Sequence, residues 1–229
     1  MFFDPMYLLI VGPAIVLSMI TQFWVQSAFK KFSRVPVAAG LSGAEVAERI
    51  VAQAGLGVRV ERVQGFLSDH YDPTHRVLRL SPNVFDGRSI SSVGVAAHEA
   101  GHALQHAKNY LPLQWRSALV PITKVGTTLA WPLLLIGFLL GSLGLVKVGI
   151  IFFSAAVLFQ VVTLPVEFDA SRRAVAVIQQ MGLVTTTEVA GVKKVLTAAA
   201  MTYVAAAAAS IAQLLYFLMR AGLLGGRRD

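Results

Sequence analysis

Four stretches of this sequence carry no charged side chain over a length that crosses a bilayer, and they leave the chain few ways to fold. Residues 5–29, 125–146, 148–166 and 195–219 hold 25, 22, 19 and 25 uncharged residues respectively. A hydrocarbon core about 30 Å thick needs roughly 20 helical residues at about 1.5 Å each. Inside lipid every backbone N–H and C=O must be bonded within the protein, so stretches of this kind are helices. Charged residues make up 14% of the 229 and hydrophobic ones 55%, whereas a soluble domain carries about 25% charged. The sequence reads as a mainly α membrane protein with about four transmembrane helices.

The flanking charges orient these helices. The first, residues 5–29, has an acidic N-terminal flank in Asp4 and no small-residue cleavage site, which reads as a retained anchor rather than a signal peptide. Lys30, Lys31 and Arg34 follow it directly, and an excess of basic residues marks the cytoplasmic end of a span. Residues 119–166 form a helical hairpin, with Lys147 dividing its two uncharged stretches and Gly137, Gly141 and Gly144 around the turn. Two crossings return the chain to the compartment it left. Residues 167–194 therefore face the same side as residues 30–118, before a fourth helix at 195–219. The alanine run Ala205–Ala209 suits close helix packing within that fourth span. Four crossings place both termini outside, which sets Arg227 and Arg228 against the basic-inside bias.

The net charge of +8 and isoelectric point near 10.1 would fit a nucleic-acid binder if the chain were soluble. In a membrane protein the same excess marks cytoplasmic loops, so nucleic acid is excluded as a partner. There is no cysteine. Disulfides and thiolate metal sites are thereby ruled out, and any metal must be held by histidine and carboxylate.

Residues 30–118 have the character of a small α+β domain. Ser42-Gly43-Ala44-Glu45 has the spacing of a capping box, predicting a helix over Ala44–Ala54 with Gly55 as its stop. Val58–Glu61 and Arg76–Leu80 read as short strands joined through a loop containing Asp72-Pro73. A helix from about Ser91 to Lys108 follows. On it, His98-Glu99-Ala100-Gly101-His102 places two imidazoles one turn apart on one face, able to hold one Zn²⁺, with a carboxylate beside them. Hydrolysis of a peptide at zinc needs neutral nitrogen ligands, an open position for water and a base for the water's proton, and this spacing supplies two ligands and the base. Ala97, Ala100, Gly101 and Ala103 are small enough to admit a second element against the helix. A strand ahead of the metal helix could also bind an extended substrate by edge pairing.

A third ligand has to come from elsewhere. His106 is a turn too far along the same helix to share the ion, and the position ten residues after His98 is Lys108. Glu167, the first charge after the hairpin, is the leading candidate, with Pro165 able to bend its helix; Asp169 and His70 are the alternatives. Without the histidines, Glu167 would read as a solvated charge ending a span, paired with Arg172 or Arg173. His70 and Tyr71, in Leu67-Ser68-Asp69-His70-Tyr71-Asp72-Pro73, offer an oxyanion donor, and this segment reads equally well as a polar turn. His75 and Tyr110 read as structural.

The blocks Gly40–Ala47, Leu67–Pro73, His98–Gln105 and Glu167–Ser171, in this order, resemble the YugP-like family of bacterial membrane zinc metallopeptidases over nearly the whole chain. The resemblance implies a zincin-like domain on the cytoplasmic side and a neutral zinc endopeptidase. His98 and His102 would be ligands and Glu99 the catalytic base. The chain is also similar in plan to the HtpX-type membrane peptidases, in which a pair of spans separates the histidine helix from a glutamate ligand in a Glu-x-x-x-Asp motif. Glu167 matches that glutamate. The aspartate position is Ser171 here, so Ser171 or Asp169 would have to steady a histidine in its place. The implied cofactor is Zn²⁺, the implied substrate a polypeptide, and the setting the plasma membrane, with a membrane protease or chaperone assembly as a further partner. Two other classes fit the residues: a non-catalytic membrane adaptor with a structural zinc, and a zinc hydrolase of small amides.

Overall fold

A computed structural model describes residues 4–65 and 68–224. Leu67 and the pair Arg227 and Arg228 lie outside the described residues. The chain is mainly helical: α1 (Pro5–Phe32), α2 (Gly43–Gln53), β1 (Arg59–Arg62), β2 (His70–Asp72), β3 (Val77–Leu80), α3 (Pro82–Phe85), α4 (Ile90–Ala107), α5 (Leu111–Leu139), α6 (Leu143–Gln180) and α7 (Thr186–Arg220). Among the described residues, α1, α5, α6 and α7 are the four helices long and apolar enough to cross a membrane.

These helices outrun the charge-free stretches. α6 continues through Pro165 to Gln180, and α7 begins at Thr186, nine residues ahead of Val195. The physical reason is that a helix needs no apolar face to continue. Alanine, arginine, glutamate and glutamine beyond the lipid-length part are good helix formers.

The chain divides into two compact units. The first contains α1 to Thr21, α5 from Gln114, α6 to Leu164 and α7 from Thr202. Its core gathers Tyr7, Leu134, Phe153, Tyr216 and Phe217, with the Phe153 and Phe217 rings edge to face at 5.3 Å between centroids. Tyr7 donates to Gln213 Oε1 at 3.1 Å and Tyr216 to Asp4 Oδ2 at 3.0 Å. Ala205 and Ala207 of the alanine run are buried. The hairpin turn falls at residues 140–142, with Gly141 in the left-handed region at φ +65°, whereas Lys147 lies inside α6. The turn is thus set by the residue that tolerates this backbone and not by the charge.

The second unit contains residues 22–113 and 165–201. Ser42 caps α2 as its spacing predicts. Its hydroxyl accepts from Glu45 N at 3.2 Å, and the Glu45 carboxylate accepts from Ser42 N at 2.6 Å. Three strands form one sheet in the order β1-β3-β2, with β1 parallel and β2 antiparallel to β3. The sequence reading placed a loop where β2 runs, because three half-exposed polar residues show no alternation; their strand geometry comes from pairing with the buried β3. Val46, Ile50, Leu78, Leu80, Val84, Val93, Ala97, Ile178 and Val192 close a common core beneath α4.

The β2–β3 turn is held by Asp72. Its carboxylate accepts from Thr74 N at 3.0 Å, His75 N at 3.1 Å, His75 Nδ1 at 2.7 Å and Arg79 Nη1 at 2.6 Å. The His75 backbone N–H and ring, then Arg79, hold this carboxyl well below the usual carboxylate range. A carboxyl that binds its proton more weakly folded than unfolded adds stability above its unfolded value of about 4, and that stability is lost as pH falls through the lower folded value. Asp72→Asn is therefore expected to lower the melting temperature of the detergent-solubilised protein near neutral pH. The gap to wild type should close as the pH is taken down below about 4, a trend that tryptophan fluorescence would follow.

Candidate metal centre

α4 starts where Ser89 accepts from Ser92 N at 3.2 Å, and its buried face is made almost entirely of small residues. Ala96, Ala97 and Ala100 are 0% exposed. Gly101, between the two histidines, faces α6 so closely that an added Cβ would lie 2.5 Å from the Ala170 carbonyl oxygen. The absence of a side chain at this point lets the two helix backbones meet, and it brings α6 within reach of both imidazoles.

At the contact, His98 Nε2 lies 3.2 Å and His102 Nε2 3.7 Å from the same Glu167 oxygen, Oε2. One ligand atom from each of His98, His102 and Glu167 falls within 4.8 Å of the other two, and among the described residues this is the one such group of three. Tetrahedral zinc with bonds of about 2.0–2.2 Å sets its ligand atoms about 3.3 Å apart, so the spacing present here fits the ion. The donor set of two imidazoles and one carboxylate, in a chain without thiols, suits zinc as well. Glu167 is 1% exposed, and burying a carboxylate this deeply is costly unless cationic partners or a metal compensate it.

The far nitrogens of both rings are held. Ser171 Oγ lies 3.1 Å from His98 Nδ1. Gln105 Nε2 donates to Val166 O at 2.8 Å and to Asp169 Oδ2 at 2.9 Å, which leaves its carbonyl Oε1 facing His102 Nδ1 at 3.1 Å. An amide oxygen can only accept, so His102 Nδ1 carries the proton, which leaves Nε2 as the nitrogen available to a metal. Asp169 is in turn bonded by Arg172 and Arg173. Thus Ser171 meets one histidine directly, and Asp169 reaches the other through Gln105. The sequence reading assigned no part to Gln105; the available signal was its place three residues after His102 and seven after His98, on the same helical face. Gln105→Leu is expected to weaken zinc binding about 10- to 100-fold, measured by titration against a chelator of known affinity.

Glu99 is 8% exposed and projects from the turn that carries His98. Burial pushes its carboxyl up to about 7; His98 opposes the rise, and the Glu167 and Asp69 carboxylates add to it. The remaining candidates fall outside the group of three. His70 is exposed on β2, with Nδ1 2.8 Å from Ser68 O. His106 accepts or donates at Nδ1 to Tyr71 OH at 2.8 Å. Asp69 is committed to Ser81, through N at 2.7 Å and Oγ at 3.0 Å, and burial raises its carboxyl. His75 is bound up with Asp72, and the Tyr110 ring lies under the Arg173 guanidinium at 5.5 Å. Arg172 and Arg173 pair with Asp169, and Glu167 is 1% exposed, which removes the reading of Glu167 as a solvated charge.

Residues 7–222 match the family model described as "Putative neutral zinc metallopeptidase". The chain is 53% identical over 207 residues to the "Putative membrane protease YugP" of Bacillus subtilis (strain 168), an alignment covering 90% of this chain and 92% of that protein. No solved structure matches it. With a family model matched over almost its entire length and a relative this similar, the chain belongs to the neutral zinc metallopeptidase family that includes YugP-type membrane proteases.

Proposed function

We propose that this protein is a membrane-embedded zinc metalloendopeptidase that hydrolyses peptide bonds of polypeptides. The observation that carries the reading is the convergence of His98, His102 and Glu167 from two helices to zinc-ligand spacing, with a buried carboxylate, Glu99, next to the first histidine. His98, His102 and Glu167 would hold the ion. A bound zinc would supply Lewis acidity to the scissile carbonyl and to the attacking water. Glu99 takes the water's proton as the water attacks the carbonyl carbon, and returns it to the amine as the C–N bond breaks. A base with its pKa near working pH can do both. Ser171 and the Gln105–Asp169 pair keep the two imidazoles oriented while charge shifts at the site. His70, on the strand ahead of α4, remains the candidate donor to the developing oxyanion.

The same reading places the catalytic unit, a zincin-like α+β domain, on the cytoplasmic face of the plasma membrane. Lys30, Lys31 and Arg34 at the end of the first helix support this side. The substrate is then a polypeptide presented close to the bilayer, because Glu167 directly follows a lipid-length uncharged stretch. The test is cleavage of an unfolded polypeptide by the purified protein in detergent. Cleavage should stop on treatment with a zinc chelator and return with added zinc. Chelator-resistant cleavage would overturn the metal, and hydrolysis confined to small amides would overturn the substrate.

A further inference from the structure

α6 and α7 flank a cavity of about 430 Å³ within the second unit. Its apolar wall includes Leu196, Ala200 and Phe168, the last 46% exposed, and its polar wall carries Arg172 and Lys193. Among the described residues no carboxylate lines it. Asp169 touches Arg172, but it also holds Arg173, so one negative charge is shared by two guanidiniums and the group stays net positive. The acid on the first turn of α7, Glu188, is taken up by the N–H groups of Thr185 and Ala38 at 2.7 and 2.6 Å.

The cavity also sits at a telling level along both helices. The uncharged stretch of α6 ends at Val166 and that of α7 begins at Val195. Phe168, Leu196 and Ala200 therefore flank the point where hydrocarbon gives way to headgroups. Arg172 is six residues past Val166, about 9 Å along a helix, and the headgroup layer on each side of a bilayer is roughly 5–8 Å deep. Lys193 precedes the apolar part of α7 by two positions. Two cations at phosphate height above an apolar wall complement a ligand that is anionic at one end and hydrocarbon at the other.

We propose that this groove binds one anionic phospholipid, with its phosphate between Arg172 and Lys193 and the first part of an acyl chain along Phe168, Leu196 and Ala200. The site is independent of whether the metal centre cleaves peptides. It nevertheless adjoins that centre, since Ser171 both lines the groove and meets His98.

The test uses the full chain, delipidated in detergent, with dioleoyl phosphatidylglycerol and dioleoyl phosphatidylcholine as probes and native mass spectrometry as readout. The wild type should retain phosphatidylglycerol and release phosphatidylcholine. Arg172→Gln combined with Lys193→Gln should lower phosphatidylglycerol binding at least about tenfold. Lys194→Gln, which removes the same charge one residue on and outside the groove, should leave binding unchanged. Unchanged zinc content and melting temperature show that the double variant is folded; if it is not, Lys193→Gln alone should weaken binding about fivefold. Equal retention of the two lipids, or equal loss in the Lys194→Gln protein, would overturn the proposal. So would displacement of phosphatidylglycerol by millimolar inorganic phosphate or by a glutamate-rich peptide, which would assign the groove to a free anion or to an acidic polypeptide.

Discussion

Glu99→Gln is expected to slow polypeptide cleavage by about 10²- to 10⁴-fold while leaving the zinc in place. The substitution keeps the shape of a side chain that is 8% exposed, so no cavity is opened beneath α4. It removes the ability to accept a proton, and that is the one property general-base catalysis asks of this position. Nothing in the His98–His102–Glu167 group is altered, so zinc content by elemental mass spectrometry should match the wild type. The melting temperature should hold or rise, because a carboxyl pushed up to about 7 by burial is poorly accommodated in its charged form. Loss of zinc together with activity would make Glu99 a support for the metal. Undiminished cleavage would place the base elsewhere.

Replacing Glu167 should have the opposite signature. Glu167→Ala is expected to lose most of its zinc during purification, with an affinity loss exceeding the 10- to 100-fold typical of an outer hydrogen-bond partner. Cleavage should fall to background with it. Because Glu167 is 1% exposed, truncation also leaves a hole between α4 and α6. Glu167→Gln separates the two effects: it fills the space, keeps the helix contact and still removes the anionic ligand. Low zinc in both variants with a near-normal melting temperature for the glutamine form would assign the carboxylate to the metal. Full zinc in both would move the third ligand elsewhere, and Asp169, the other buried carboxylate on this stretch of α6, would be the next to replace.

Much of the arrangement was legible before any coordinates. The uncharged stretches announced four lipid-length helices, and counting crossings predicted one side for His98 and Glu167, whose side chains lie 3.2 Å apart. The capping box at Ser42 was readable because both of its partners lie within four residues. What escaped the sequence depends on partners far along the chain. Gln105 gains its part only from Val166 and Asp169, more than sixty positions away. β2 becomes a strand only by pairing with β3. The hairpin turn was legible from its glycines, since Gly141, one of the three grouped there, sits in it at φ +65°.

His98 and His102 on α4 and Glu167 on α6 are separated by two lipid-length helical stretches of chain. A ribosome releases His98 and His102 well before Glu167, with α5 and the first part of α6 made in between. A half-made chain therefore carries two histidines and no complete metal pocket. Under the proposed function, the order of residues works as a safety catch: the ligand set stays incomplete until both helical stretches have been made.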